Sequence, residues 1–313
     1  MKQLTEICRP GLMLSQVWPR SREKEGETAR VLGTALSKEQ FAAFQSVEIP
    51  YARERDVVRG MLSGGRYRYT YCLTRILNDQ QLNLSSLDER QRRRSCDVVV
   101  EGLDQARDAG ADSVSLVSGQ RPESDTDRYL ALSALAESMR SVIPAAMEPP
   151  ALSVVLEPLD VTSHKKMTLG YTIEAIALCE QLALDGLSLR LTLDSAHIIL
   201  NGETPEAALQ SALNHVDDFH YCNCVTDRSH PLYGDNHIRF GPPGVVGTEA
   251  IAAMMRVQVL TGFFDPERRP AIMCEVLNDG SETPDHLMDY CMDSMQAAWV
   301  RASSGSTSEV SQL

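Results

Sequence analysis

Eight short apolar or β-branched runs punctuate the chain, at residues 12–16, 46–50, 67–73, 113–119, 152–159, 187–194, 218–225 and 270–277, with longer helical patterns between them. Such alternation is the signature of repeated βα units feeding a parallel sheet. Right-handed crossovers keep the helices on one side of that sheet, so eight units close most simply into a barrel. The expected fold is α/β, a single (β/α)8 TIM barrel over residues 1–302, with a doubly wound open sheet as the competing arrangement. No Gly-rich linker divides the chain, and the small, polar, aperiodic stretch 303–313 is expected to be a disordered tail.

The helical stretches carry boundary signals. In "SLDERQRRRSCDVVVEGLDQARDAG", Ser86 and Glu89 have capping-box spacing, Val98, Leu103 and Ala106 form part of an apolar stripe, and Gly110 stops the helix. Further helices are expected near 125–145, 171–184, 205–213, 246–261 and 284–301. The last is Met-rich; its stripe reads as barrel-facing core, and packing between subunits of a homo-oligomer is the other use of such a surface. The Gly/Pro-rich "GDNHIRFGPPGVVG" after the seventh run reads as a long loop on the C-terminal face, where barrel function usually sits.

Composition excludes several functions. With 43 acidic against 30 basic residues and a formal charge of −13, the chain is poorly suited to polyanions, so neither nucleic acid nor an anionic membrane is expected as a partner. The basic run Arg90, Arg92, Arg93 and Arg94 reads as a solvated helix face. No 18-residue apolar stretch is present, and the N-terminal residues lack the apolar core of a signal peptide. Eight cysteines without CxxC spacing fit reduced, buried thiols, and the expected location is cytoplasmic.

Four consecutive expected strands each carry a side chain able to bind a metal: Glu157 in "VVLEPLD", Asp194 in "LTLDSAH", His220 in "FHYCNC" and Glu275 in "IMCEVLN". Singly, each has a plain structural reading: an ion pair of Glu157 with Lys165, a turn capped by Asp194, a core histidine, a rim carboxylate. Jointly, they would share one rim of a parallel barrel. Three carboxylates near one point raise each other's pKa unless a cation offsets the charge. The donor set suits one divalent ion, Mn²⁺, Mg²⁺ or Co²⁺, without excluding Zn²⁺ or Fe²⁺; no organic cofactor is expected.

These residues also carry a resemblance. The "EPL" at Glu157, the D-x-x-H of Asp194 and His197, the strand-seven His220 followed by a Gly/Pro-rich loop, and the strand-eight Glu275 resemble the xylose isomerase-like TIM-barrel superfamily, which includes ketose 3-epimerases, inosose dehydratases and the endonuclease IV group. The resemblance implies that Glu157, Asp194, His220 and Glu275 bind one metal and that His197 contacts the substrate. It also implies an isomerase or epimerase of a sugar or sugar-like keto-polyol, in which Glu157 and Glu275 move a proton next to a carbonyl.

The chain departs from that pattern at two places. Ketose 3-epimerases carry an acidic residue six positions after the strand-five Glu, where this chain has Ser163, so Asp160, His164 or Lys165 is expected to hold the substrate instead. Relatives often have an acid three positions after the strand-seven His, where this chain has Asn223, which is expected as a substrate contact in its place. Asp235 and His237 resemble the D-x-H that holds an additional zinc in the endonuclease IV group, yet residues 1–163 contain no His. Asp235, His237 and Arg239 are therefore expected as loop or substrate contacts. A metal-dependent lyase acting on a keto-sugar or inosose is the alternative chemistry. A phosphodiesterase and a non-catalytic binding barrel are lesser ones.

Overall fold

The computed structural model describes residues 2–22 and 27–304. Among the described residues nine strands are formed: β1 (Arg9–Met13), β2 (Ser46–Pro50), β3 (Arg68–Cys72), β4 (Ser113–Val117), β5 (Ser153–Glu157), β6 (Arg190–Asp194), β7 (Val216–Val225), β8 (Gly234–Ile238) and β9 (Ala271–Glu275). Each of β1 to β6 pairs in parallel with the next, β6 pairs with β7, β7 with β9, and β9 returns to β1. This is the closed eight-stranded parallel barrel, with helices around it, that the βα rhythm predicts. β8 lies outside that closure as an antiparallel partner of β7, with Asn223 opposite Ile238.

Strand alternation divides polar from apolar. Val47, Ile49, Tyr69, Tyr71, Val114, Leu116, Leu191, Leu193, Phe219 and Ile272 join the main core with helix residues such as Leu103, Leu135 and Met255. The intervening positions line the lumen and are largely polar: Ser46, Glu48, Thr70, Ser113, Ser115, Thr192 and Asp218 are all buried. Thr70 Oγ1 and Ser113 Oγ lie 2.9 Å apart, a hydrogen bond that satisfies two of these buried hydroxyls. Met13, Ala271 and Met273 form a separate apolar plug.

Most helix boundaries follow the sequence signals. Gly110 ends the helix Glu89–Ala109 in the left-handed conformation, at φ 76°. The cap at its other end is Asp88, not Ser86: the Asp88 carboxylate accepts from Arg90 N and Gln91 N, while Ser86 Oγ donates to Gln91 Oε1. β1 begins three residues before the expected run, and Leu14–Val17 is a helical turn. The final helix, Pro284–Ser304, extends past the expected 301; residues 305–313, which hold most of the expected disordered tail, lie outside the described residues. Among the described residues no helix is long and apolar enough to cross a membrane.

Candidate metal centre

Glu157, Asp194 and Glu275 are the last residues of β5, β6 and β9, and His220 lies in β7, paired with Asp194 on one side and Met273 on the other. Glu157, Asp194, His220 and Glu275 each offer a ligand atom within 4.8 Å of all the others. His220 Nδ1 stands 3.1 Å from Glu275 Oε1 and 3.8 Å from Glu157 Oε1. The Asp194 carboxylate has two tasks. Its Oδ1 caps the helix Ser195–Leu200, accepting from Ala196 N at 2.7 Å and His197 N at 3.1 Å. Its Oδ2 is buried with no hydrogen-bond partner. A buried carboxylate oxygen without a donor is costly, and a cation among three carboxylates and an imidazole satisfies it, so these residues fit a divalent metal.

Between the protein groups alone, protons compete for this position. Burial, reinforced by Glu275, pushes Glu157 up to about 8, and burial pushes Asp194 up to about 6. Burial would also raise Glu275, but the adjacent imidazoles of His220 and His237 outweigh it and hold Glu275 well below the usual carboxylate range.

A second set of side chains adjoins the first. Asp160 is fully buried; its Oδ1 accepts from the backbone of His164 and, at 3.0 Å, of Lys165, and its Oδ2 lies 3.3 Å from His197 Nδ1. The other ring nitrogen of His197 lies 3.6 Å from Asp235 Oδ2, which also takes Lys165 Nζ at 3.1 Å. Burial would depress the His197 imidazole, but Asp160, Asp194 and Asp235 bring it up to about 10. His237 reaches Glu275 Oε2 at 2.9 Å from a left-handed backbone, φ 52°, a conformation uncommon outside glycine.

The β7–β8 hairpin positions these residues. His164 Nδ1 accepts from Asp235 N at 3.2 Å, and a Cβ on Gly234 would stand 2.7 Å from the His164 ring, so glycine is required there. Asn223 is fully engaged with the following loop: its amide donates to Arg239 O and Gly241 O, and its Oδ1 accepts from Val246 N. Arg239 pairs with Glu282 and sits 4.1 Å over the Tyr290 ring. Asn223 and Arg239 thus hold loop and rim together, while Asp160, His164, Lys165, His197, Asp235 and His237 gather beside the four-residue cluster.

One residue at the centre escapes the sequence reading. Glu48 of β2 is 6% exposed in the lumen, close enough to His220 and Glu275 for their charges to act on it, and burial pushes its carboxyl up to about 7. The available signal was a carboxylate between two apolar residues, "VEI", in a strand buried throughout.

The family model for the xylose isomerase-like TIM barrel matches residues 42–287. The chain belongs to the xylose isomerase-like TIM-barrel family. Solved structures with this family's fold include L-ribulose 3-epimerase, at 15% identity and TM-score 0.68 over 96% of this chain and 99% of that one. The IolI protein with a bound zinc atom aligns at 13% identity and TM-score 0.65, covering 93% and 97% of the two chains. An AP endonuclease of family 2 from Brucella melitensis aligns at 17% identity and TM-score 0.61, covering 89% and 96%. No curated protein sequence matches. At these identities the likeness to solved structures establishes the fold alone.

Proposed function

We propose that this member of the xylose isomerase-like family is a divalent-metal-dependent isomerase or epimerase of a sugar or sugar-like keto-polyol. The observation that carries this reading is the convergence of Glu157, Asp194, His220 and Glu275, with the buried Asp194 Oδ2 left without a donor. A divalent ion bound there would supply Lewis-acid stabilisation of the negative charge that develops when a carbon next to a carbonyl loses its proton. Glu157 and Glu275 are the proton-transferring pair. Glu275 accepts from His237 Nε2, which keeps its charge available, while Glu157 is governed mainly by burial; two carboxyls in such unequal surroundings divide the roles of base and acid. Lys165 and His197 lie beside the cluster as N–H donors for the hydroxyls of a polyol, Asp160 keeps the His197 ring in place, and His237 is committed to Glu275.

A second cluster, Cys222, Asp235 and His237, favours a binuclear hydrolase as the alternative reading. Two features weigh against it. Lys165 Nζ stands 3.1 Å from Asp235 Oδ2, and the Cys222 thiol already donates to Asp235 Oδ1 at 3.1 Å, so both oxygens of that carboxylate face protein cations or donors.

The test is elemental analysis of the purified chain and of His220→Ala, both stripped with chelator and reloaded from a mixture of divalent ions. One ion per wild-type chain, lost in the variant, supports the mononuclear centre; two per chain favours the hydrolase; none removes the metal reading. Ketoses and inososes incubated with the loaded enzyme in deuterated water should then exchange a single C–H. An enone or diketone absorbance would mark elimination instead.

A further inference from the structure

At the opposite end of the barrel, the N-terminal ends of the strands surround a cavity of about 470 Å³ lined by Arg9, Arg66, Arg68, Arg268, Arg269 and Asp112, among others. Arg9 opens β1, Arg68 opens β3, and Arg268 and Arg269 lead into β9, so the cavity lies a strand length, roughly 15 Å, from the carboxylate rim. Five arginines around one hollow run against a composition in which acids outnumber bases 43 to 30.

Their charges are only partly matched. Arg68 pairs with Asp218 at 3.0 Å and with Asp217 at 3.6 Å, and Arg268 reaches Asp217 at 3.5 Å. The other three make no ion pair among the described residues and bond to neutral oxygens: Arg9 to the carbonyls of Arg268 and Arg269, Arg66 to Ala42 O, and Arg269 to Thr5 O and Gln45 Oε1. The Nε of Arg269 is buried without a partner. The Asp112 carboxylate, the one acid in the lining, accepts from Tyr69 N. Burial and the neighbouring arginines both disfavour the charge on Arg9 and Arg268, a cost that a bound anion would remove. Guanidinium groups in a concave site match phosphate oxygens, offering several N–H donors in fixed fork geometry.

We propose that this cavity is a binding site for a phosphate group, as the free ion or as the monoester of a small molecule. The site is separate from the proposed metal centre and does not depend on that reading.

Isothermal titration of the chelator-treated full chain with inorganic phosphate at low ionic strength tests it, beside ribose 5-phosphate and ribose. Saturable binding of about one phosphate, retained in His220→Ala and weakened roughly tenfold or more in Arg66→Gln and Arg9→Gln, is the expected result. Arg66 is exposed, so its replacement leaves the barrel intact even if Arg9→Gln should unfold it. Tighter binding of ribose 5-phosphate than of phosphate identifies a monoester site, and the reverse order a free-ion site. No saturable binding of either, binding lost in His220→Ala, or binding unchanged in Arg66→Gln overturns the proposal.

Discussion

Glu275 lies between two imidazoles, His220 at 3.1 Å and His237 at 2.9 Å. Glu275→Gln keeps the shape and removes the charge, so under the proposed mechanism deuterium incorporation into substrate falls by about 10²- to 10⁴-fold, as read by NMR. Asp160 acts through His197. Asp160→Ala strands a buried imidazole and two backbone N–H groups, and the variant should lose about 3 kcal/mol of stability in a denaturant titration. The cluster also predicts a pH dependence. Folding raises Glu157 to about 8 and Asp194 to about 6 through burial, and raises His220 well above its ordinary value, where Glu275 and Glu157 outweigh burial. The folded chain then binds more protons than the unfolded one between the ordinary carboxylate range and about pH 8, so its stability falls as pH rises through that window. Chelated protein should melt lower at pH 8 than at pH 5, with added divalent ion restoring more at pH 8, as thermal denaturation would reveal.

At the scale of elements, the β7–β8 hairpin carries what the barrel strands do not. A Cβ on Gly244 would stand 2.2 Å from Asn223 Oδ1, the atom that accepts from Val246 N. Gly244→Ala should therefore displace the loop, costing about 1–3 kcal/mol and lowering turnover while far-ultraviolet circular dichroism stays barrel-like. This hairpin was only half legible in the sequence. Asp235 and His237 could be picked out, but "GDNHI" is short and follows turn residues, and its pairing with β7 depends on tertiary docking. The first strand starts before its apolar run for a related reason: Pro10 and Gly11 are poor strand formers, held in place by β9 and β2 on either side. The four clustered residues were legible because closure of a parallel barrel brings successive strand ends to one rim. Glu48 was not, because β2 faces β7 only across the lumen, and no local pattern reports a distance through space.

Over the whole molecule, charge is unevenly spread: a net −13 overall, carboxylates around the proposed metal centre, and arginines at the opposite mouth. With acids outnumbering bases 43 to 30, the chain offers a duplex little electrostatic attraction. Abasic-site DNA should be neither retained in a mobility-shift assay nor nicked at about 150 mM salt; a nick would favour the hydrolase reading.

Closure of the barrel has a consequence for how the chain is made. β9 inserts between β7 and β1, joining Ala271 to Arg9 across nearly the full length of the polypeptide, and the same strand delivers Glu275. Until that segment leaves the ribosome the lumen is open and the ligand set is one carboxylate short. Contacts of such long range form late, so a growing chain passes most of its synthesis unable to sequester an ion in the final geometry. Assembly of the proposed centre and completion of the fold become a single event.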